Sequence, residues 1–349
     1  MLPADIQLPP YQGHCVKLSV INGAKSFMRA GLLVNPAPTN HEHLELAGYC
    51  FLVESQQLRQ KVLFDLAFME NVTARAPPSL QPMLNNKDVL RIEECRNIAT
   101  VLEEHNVDLA TINSIIWSHA HIDHTGDPSV FPSSTELIVG PGFKTNYIPG
   151  YPTNPQSPVL DSAFQGRSVQ ELDFSTSSTT IGGFRAIDLF HDSSFWVLET
   201  PGHTEHHISA LCRTTEDSWV FLGGDVCHSI AQVRPSAFRS LPDTVPADVM
   251  GKAEPPESCC CAHLSQHVRK EAGGSFFGLA PGMQEDLSKA QNTLEKLKAF
   301  DGRDDVLIVI AHDSSLLDVM SFFPKDMNRW KDQNWAEKGR WKFLRDFDN

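Results

Sequence analysis

Apolar runs of four to seven residues, separated by Gly-, Pro- and Asn-bearing joints, dominate the pattern along this chain. Residues 16–21, 48–54 and 62–65 are rich in β-branched and aromatic side chains and read as strands. Residues 112–118, 137–139, 196–199, 208–212, 219–222 and 306–311 read the same way. Two helices are legible. Residues 97–105 form a short one, and Leu287, Ala290, Leu294, Leu297 and Phe300 mark the apolar face of a longer one. Lys289, Glu295, Lys296 and Lys298 occupy its polar side. Residues 35–45 and 77–87 carry prolines and read as irregular.

Many strands, few helices and no clean linker predict one mixed α/β (α+β) domain over residues 1–349. Within it, residues 235–282 form a Pro- and Gly-punctuated excursion, expected to be an inserted lid. Residues 325–349 form a tail of alternating charge that holds Trp330, Trp335 and Trp341, expected to pack on the body or on a dimer partner.

Composition narrows the function. Hydrophobic residues make up 41% and charged residues 21% of 349, which is ordinary globular usage. The net charge of −14 disfavours nucleic acid and anionic lipid as partners and points to a small molecule. The longest apolar runs are too short to cross a bilayer. The first ten residues lack the basic and apolar regions of a secretory signal, and eight dispersed cysteines suit a reducing compartment. A cytoplasmic protein, monomer or homodimer, is expected.

The chemistry concentrates just after the apolar run at 112–118. His119, His121, Asp123, His124 and Asp127 fall within nine residues. On an extended segment His119 and His121 share a side, and a following turn brings Asp123 and His124 towards the same point. A surface histidine cluster is the bland alternative, but imidazoles and carboxylates so spaced behind a buried strand suit zinc. Further ligand types stand at later strand ends: His203 after Pro201 and Gly202, Asp225 after two glycines, and His312 after residues 306–311.

This series resembles the metallo-β-lactamase-fold hydrolases. Their His-X-His-X-Asp-His motif matches His119, His121, Asp123 and His124, and their later elements match His203, Asp225 and His312. The run Val62 to Asp65 is similar to the family's early strand whose acidic residue supports the ligands. The resemblance covers roughly residues 15 to 315. It implies an αββα four-layer sandwich with two metals, expected as two Zn²⁺, with iron or manganese as substitutes. One metal would be held by His119, His121 and His203, the other by Asp123, His124 and His312, with Asp225 bridging. It also implies attack by a metal-bridging hydroxide, with Asp123 orienting it and carrying a proton.

The layout is nearest the N-acyl-homoserine lactonases and a fungal lactamase-like group, which implies a lactone or lactam substrate. A thioesterase acting on a polyketide-type intermediate in secondary metabolism, or a non-hydrolytic or iron-dependent variant, is the alternative. Lactonases carry a Tyr three residues past the bridging Asp, where this chain has His228, either a catalytic residue that donates a hydrogen bond to the substrate or relays a proton, or a packed residue. His207 matches a second family His four residues past His203.

Other residues stay open. His41 and His43 either overhang the site and touch substrate or face solvent. Phe276 and Phe277, after two glycines, are candidates for capping the site as part of a moving lid. Met28, Phe27 and Phe68 either line a pocket or fill the core. Cys259, Cys260 and Cys261 with His263 and His267 form either an auxiliary site or part of the lid.

Overall fold

The computed structural model describes residues 6–38, 41–246, 249, 258–260 and 274–347. Two sheets dominate. The first has seven strands in the order Leu90–Cys95, Lys17–Arg29, His43–Ser55, Gln60–Phe64, Ser114–Ile116, Glu136–Val139, Val169–Glu171. The second has six, in the order Val306–Val309, Ser218–Leu222, Ile208–Thr215, Phe195–Glu199, Phe184–Asp188, Thr180–Ile181.

Strict alternation decides what each strand faces. In Ser218–Leu222, Val220 and Leu222 join Val20, Phe51, Phe64, Ile116 and Ile138 of the first sheet in one core between the sheets. Trp219 and Phe221 point the other way, into a second cluster with Leu294, Leu297 and Phe300 of the helix Leu287–Asp301. Both faces of the central strands are therefore buried, which is why they read as continuous apolar runs. Helices and loops outside and two sheets within make the expected αββα sandwich, of the metallo-β-lactamase fold. Asp286 caps the long helix through the Lys289 N–H at 3.0 Å.

Three departures from the sequence reading bear on the architecture around the site. The first strand continues to Arg29, because the register shifts by a β-bulge between Asn22 and Lys25, where Asn-Gly would suggest a turn. Leu90–Cys95 is an edge strand whose outward Arg91, Glu93 and Glu94 hide its pattern. The segment 77–87 holds two short helical turns, Pro78–Leu80 and Gln81–Leu84.

The excursion is anchored where it returns. Phe276 and Phe277 are 1% and 7% exposed within the core, and Phe276 packs edge-on against Phe343. Gly278–Leu279 then pairs with Val34–Asn35. The expectation that this Phe pair caps the site on a moving lid is corrected: apolar burial and strand pairing fix it in the body. Ser258–Cys260 pairs with Thr244–Pro246, while Cys261, His263 and His267 lie outside the described residues. In the tail, Trp330 and Trp335 are buried in the core between the sheets. Asn328 fastens that tail, its Oδ1 accepting the Leu18 N–H at 2.9 Å.

Candidate metal centre

The expected ligand residues arrive from strand ends at one edge of the sandwich. Ser114–Ile116 delivers Ser118 and His119, and the turn Ile122–Thr125 swings His124 back beside them. That turn closes at Gly126, whose φ of +50° and contact with Leu66 leave no room for a Cβ. Ser218–Leu222 leads through Gly223 and Gly224 to Asp225. At Gly224, φ is +52° and a Cβ would meet His207 Nε2 at 2.8 Å. Val306–Val309 leads to His312. Backbone bonds tie these loops together: Ile208 N–H donates to the Ser118 carbonyl, and Ala311 N–H to that of Gly224.

The side chains converge in two groups, His119, His121, His203 and Asp225 in one, Asp123, His124 and His312 in the other, with donor atoms within 4.8 Å of each other in each. Asp225 faces both. Its Oδ1 lies 3.2 Å from His124 Nε2 and 3.1 Å from His312 Nε2, while Oδ2 lies 3.4 Å from His203 Nε2 and 3.8 Å from His119 Nε2. His203 Nε2 and His121 Nδ1 approach to 3.0 Å. His119 Nε2, His124 Nε2 and Asp225 Oδ1 are shut from solvent without a hydrogen-bond partner. Such orphaned groups are costly unless something binds them, and imidazole nitrogens with carboxylate oxygens suit divalent cations. The residues fit a divalent metal site.

Neighbours fix which nitrogen is offered. Asp65, at φ +60°, accepts the Ser118 N–H and hydroxyl at 2.7 and 2.8 Å. It also faces His124 Nδ1 at 2.8 Å, so that Nδ1 is the nitrogen held by the protein and Nε2 is the one turned to the centre. Ser118 Oγ, having donated to Asp65, accepts from His119 Nδ1 at 3.0 Å. His312 Nδ1 donates to the Ala47 carbonyl at 2.8 Å. His207 accepts the Asp225 N–H through Nε2 at 2.9 Å, so its Nδ1–H donates to Thr200.

Electrostatics divide the two groups. Burial, then the neighbouring imidazoles, holds His119 and His203 well below the usual imidazole pKa, and burial lowers His121. All three stay in the neutral, donor form. Burial opposes charge on His124 and His312 too, but carboxylates led by Asp225 outweigh it and raise both. Burial also disfavours the Asp225 anion, yet His312, His124 and His228 outweigh it and hold Asp225 well below the carboxylate range. Burial pushes His207 down to about 3.

Above this floor opens a cavity of about 330 Å³. Its walls are Met28, Leu33, Leu46, Phe68, Leu80 and Met83 on one side and the segment 282–285 on another. His228 also lines it, 2% exposed, with Nε2 3.3 Å from Asp225 Oδ2 and neither ring nitrogen partnered.

No family model matches this sequence. Gamma-lactamase FDB1 of Fusarium pseudograminearum is 34% identical across 99% of this chain and 86% of its own. The chain belongs to the metallo-β-lactamase-fold hydrolases, near their lactonase and fungal lactamase branch. It also aligns along its whole length, at 36% identity, with Cytochrome P450 monooxygenase mpaDE' of Penicillium brevicompactum, but spans only 39% of that protein. The fold is shared with a B. thuringiensis AiiA mutant solved with N-decanoyl-L-homoserine at its active site. There the TM-score is 0.59 at 15% identity, over 90% of this chain and 99% of that one.

Within this branch's fold the structure gathers all seven expected ligands, and His228 beside them. It does not bring His41 or His43 to the cavity: His43 Nε2 meets the Asp88 carbonyl at 3.0 Å, and neither residue lines the walls. Phe276 and Phe277 are likewise absent from the lining and pack within the core instead. Met28 and Phe68 do line it, whereas Phe27 lies under the Lys25 and Arg91 cations. Sequence reasoning missed Ser118, the Ala47 carbonyl and most of the walls. The Ser118 side chain, next to the first ligand, was the one local clue.

Proposed function

We propose that this chain is a dinuclear zinc hydrolase that opens the ring of a small, uncharged lactone or lactam. The observation that carries the reading is Asp225, whose two oxygens face two separate histidine groups beneath an apolar cavity. The gamma-lactamase relative supports the substrate class. His119, His121 and His203 would hold one ion, Asp123, His124 and His312 the other, with Asp225 shared. Bound there, two divalent cations supply Lewis acidity and make water acidic enough to ionise near neutral pH.

The chain's own residues then divide the work. The apolar walls desolvate the ring and hold it over the floor. Asp123, with 20% side-chain exposure, lines the cavity with Oδ2 3.5 Å from His312 Nε2. There it takes the proton from the attacking water and passes it to the ring heteroatom. The water oxygen joins the acyl carbon, the ring C–O or C–N bond breaks, and the acid product ionises. His228 donates an N–H to the acyl oxygen, in the place where lactonases carry a Tyr.

In the same reading the chain works as one domain, monomer or homodimer, without nucleic acid. No described helix is long and apolar enough to cross a membrane. Cys15, Cys50, Cys95, Cys212 and Cys227 are free thiols, which supports a cytoplasmic setting. Elemental analysis of the purified protein, paired with a panel of lactones, lactams and thioesters, tests the reading. Two zinc ions per chain and ring opening are expected; a zinc-loaded protein that opens no ring contradicts it.

A further inference from the structure

Ring opening turns an uncharged substrate into a carboxylate, formed above a floor that two cations would make attractive to it. The walls differ from the floor in charge. Apart from the ligands and His228, Glu285 is the single charged side chain among the described lining residues, and no Lys or Arg lines the cavity. Glu285 is exposed, which puts it at the rim.

Its position is built. The Glu285 N–H donates to the carbonyl of the ligand His203 at 3.1 Å, and the next N–H, from Asp286, donates to Gly202 at 3.0 Å. The Glu285 carboxylate accepts the Glu205 N–H through Oε2 at 2.6 Å. The nearby Lys289 is engaged elsewhere, 2.8 Å from Glu205 and 3.7 Å from Asp286, and among the described residues no cation pairs with Glu285. Its charge is felt locally: burial, and then the Glu285 carboxylate, pushes the Tyr147 hydroxyl up to about 12.

We propose that Glu285 selects ligands by charge at the rim of the cavity, keeping carboxylates out and hastening departure of the ring-opened acid. The selection stands on the cavity alone; its use in product release rests on the ring-opening reading above. An uncompensated rim charge within a Debye length of a bound carboxylate shifts its affinity by roughly threefold at low salt.

The experiment measures binding of hexanoate and its neutral isostere hexanamide to the zinc-loaded chain by calorimetry. Glu285→Gln keeps the acceptor for the Glu205 N–H and removes the charge. The hexanoate-to-hexanamide affinity ratio should rise roughly threefold in that variant, with the difference shrinking towards ~1 M salt. Glu285→Asp should restore the wild-type ratio. Glu94→Gln, an exposed carboxylate on the edge strand Leu90–Cys95, should leave the ratio alone. An unchanged ratio in Glu285→Gln, or an equal rise in Glu94→Gln, overturns the proposal. Absence of ring opening by the wild-type chain contradicts the hydrolase reading instead, and these binding ratios do not depend on it.

Discussion

The floor of the cavity and its walls are built on opposite principles. The floor gathers seven donor side chains from strand-end loops, three of them oriented from behind: His124 by Asp65, His119 by Ser118, His312 by the Ala47 carbonyl. The walls come from the first strand, the turns near residue 80 and the segment 282–285, and ask little more of their residues than bulk and apolarity. The difference teaches which part of an enzyme is interchangeable. A wrong ligand loses the ion, while a wrong wall residue changes what fits.

Changes to the floor should be severe and selective. His121→Ala is expected to cut kcat/KM by at least ~100-fold with loss of bound metal, because even outer partners of ligands cost 10–100-fold. The metal-free variant should melt close to the metal-free wild type, since a loop ligand adds little to the core. Full activity at equal metal content would remove His121 from the centre. One step outward, Asp65→Asn leaves shape but gives up the carboxylate that accepts from Ser118 and His124. Zinc affinity, read by chelator competition, should fall ~10–100-fold. An unchanged affinity would make Asp65 a packing residue only.

Between floor and wall stands His228. His228→Phe should slow turnover up to about tenfold at unchanged metal content, as expected for loss of one neutral hydrogen bond of up to about 1.5 kcal/mol. A parallel loss of metal would instead move His228 into the ligand set. On the wall itself, Met283→Ala should raise KM several-fold while kcat and metal content change little, because it removes contact and not chemistry. A fall in kcat matching that of His228→Phe would erase the distinction between the two regions.

The same division explains what the sequence disclosed. His119, His121, Asp123 and His124 are readable because metal chemistry restricts residue type and spacing together. His203, Asp225 and His312 are readable because each ends an apolar run. Long core strands were legible for a similar reason, being buried on both faces. Leu90–Cys95 was not, since an edge strand carries charge outward and loses its alternation. Phe276 and Phe277 misled because two glycines suggest mobility, while their burial depends on Phe343, far along the chain. The walls were opaque because Leu80, Met83 and Met283 have no chemical signature, and tertiary contacts alone bring them together.

One diffraction measurement bears most directly on the centre. Crystals of the zinc-loaded protein, with data collected at the zinc absorption edge, should show two anomalous peaks a few ångströms apart. One should touch His119, His121 and His203, the other Asp123, His124 and His312, with an Asp225 oxygen at each. A single peak, or two peaks that do not share Asp225, would contradict the dinuclear centre on which the proposed chemistry depends.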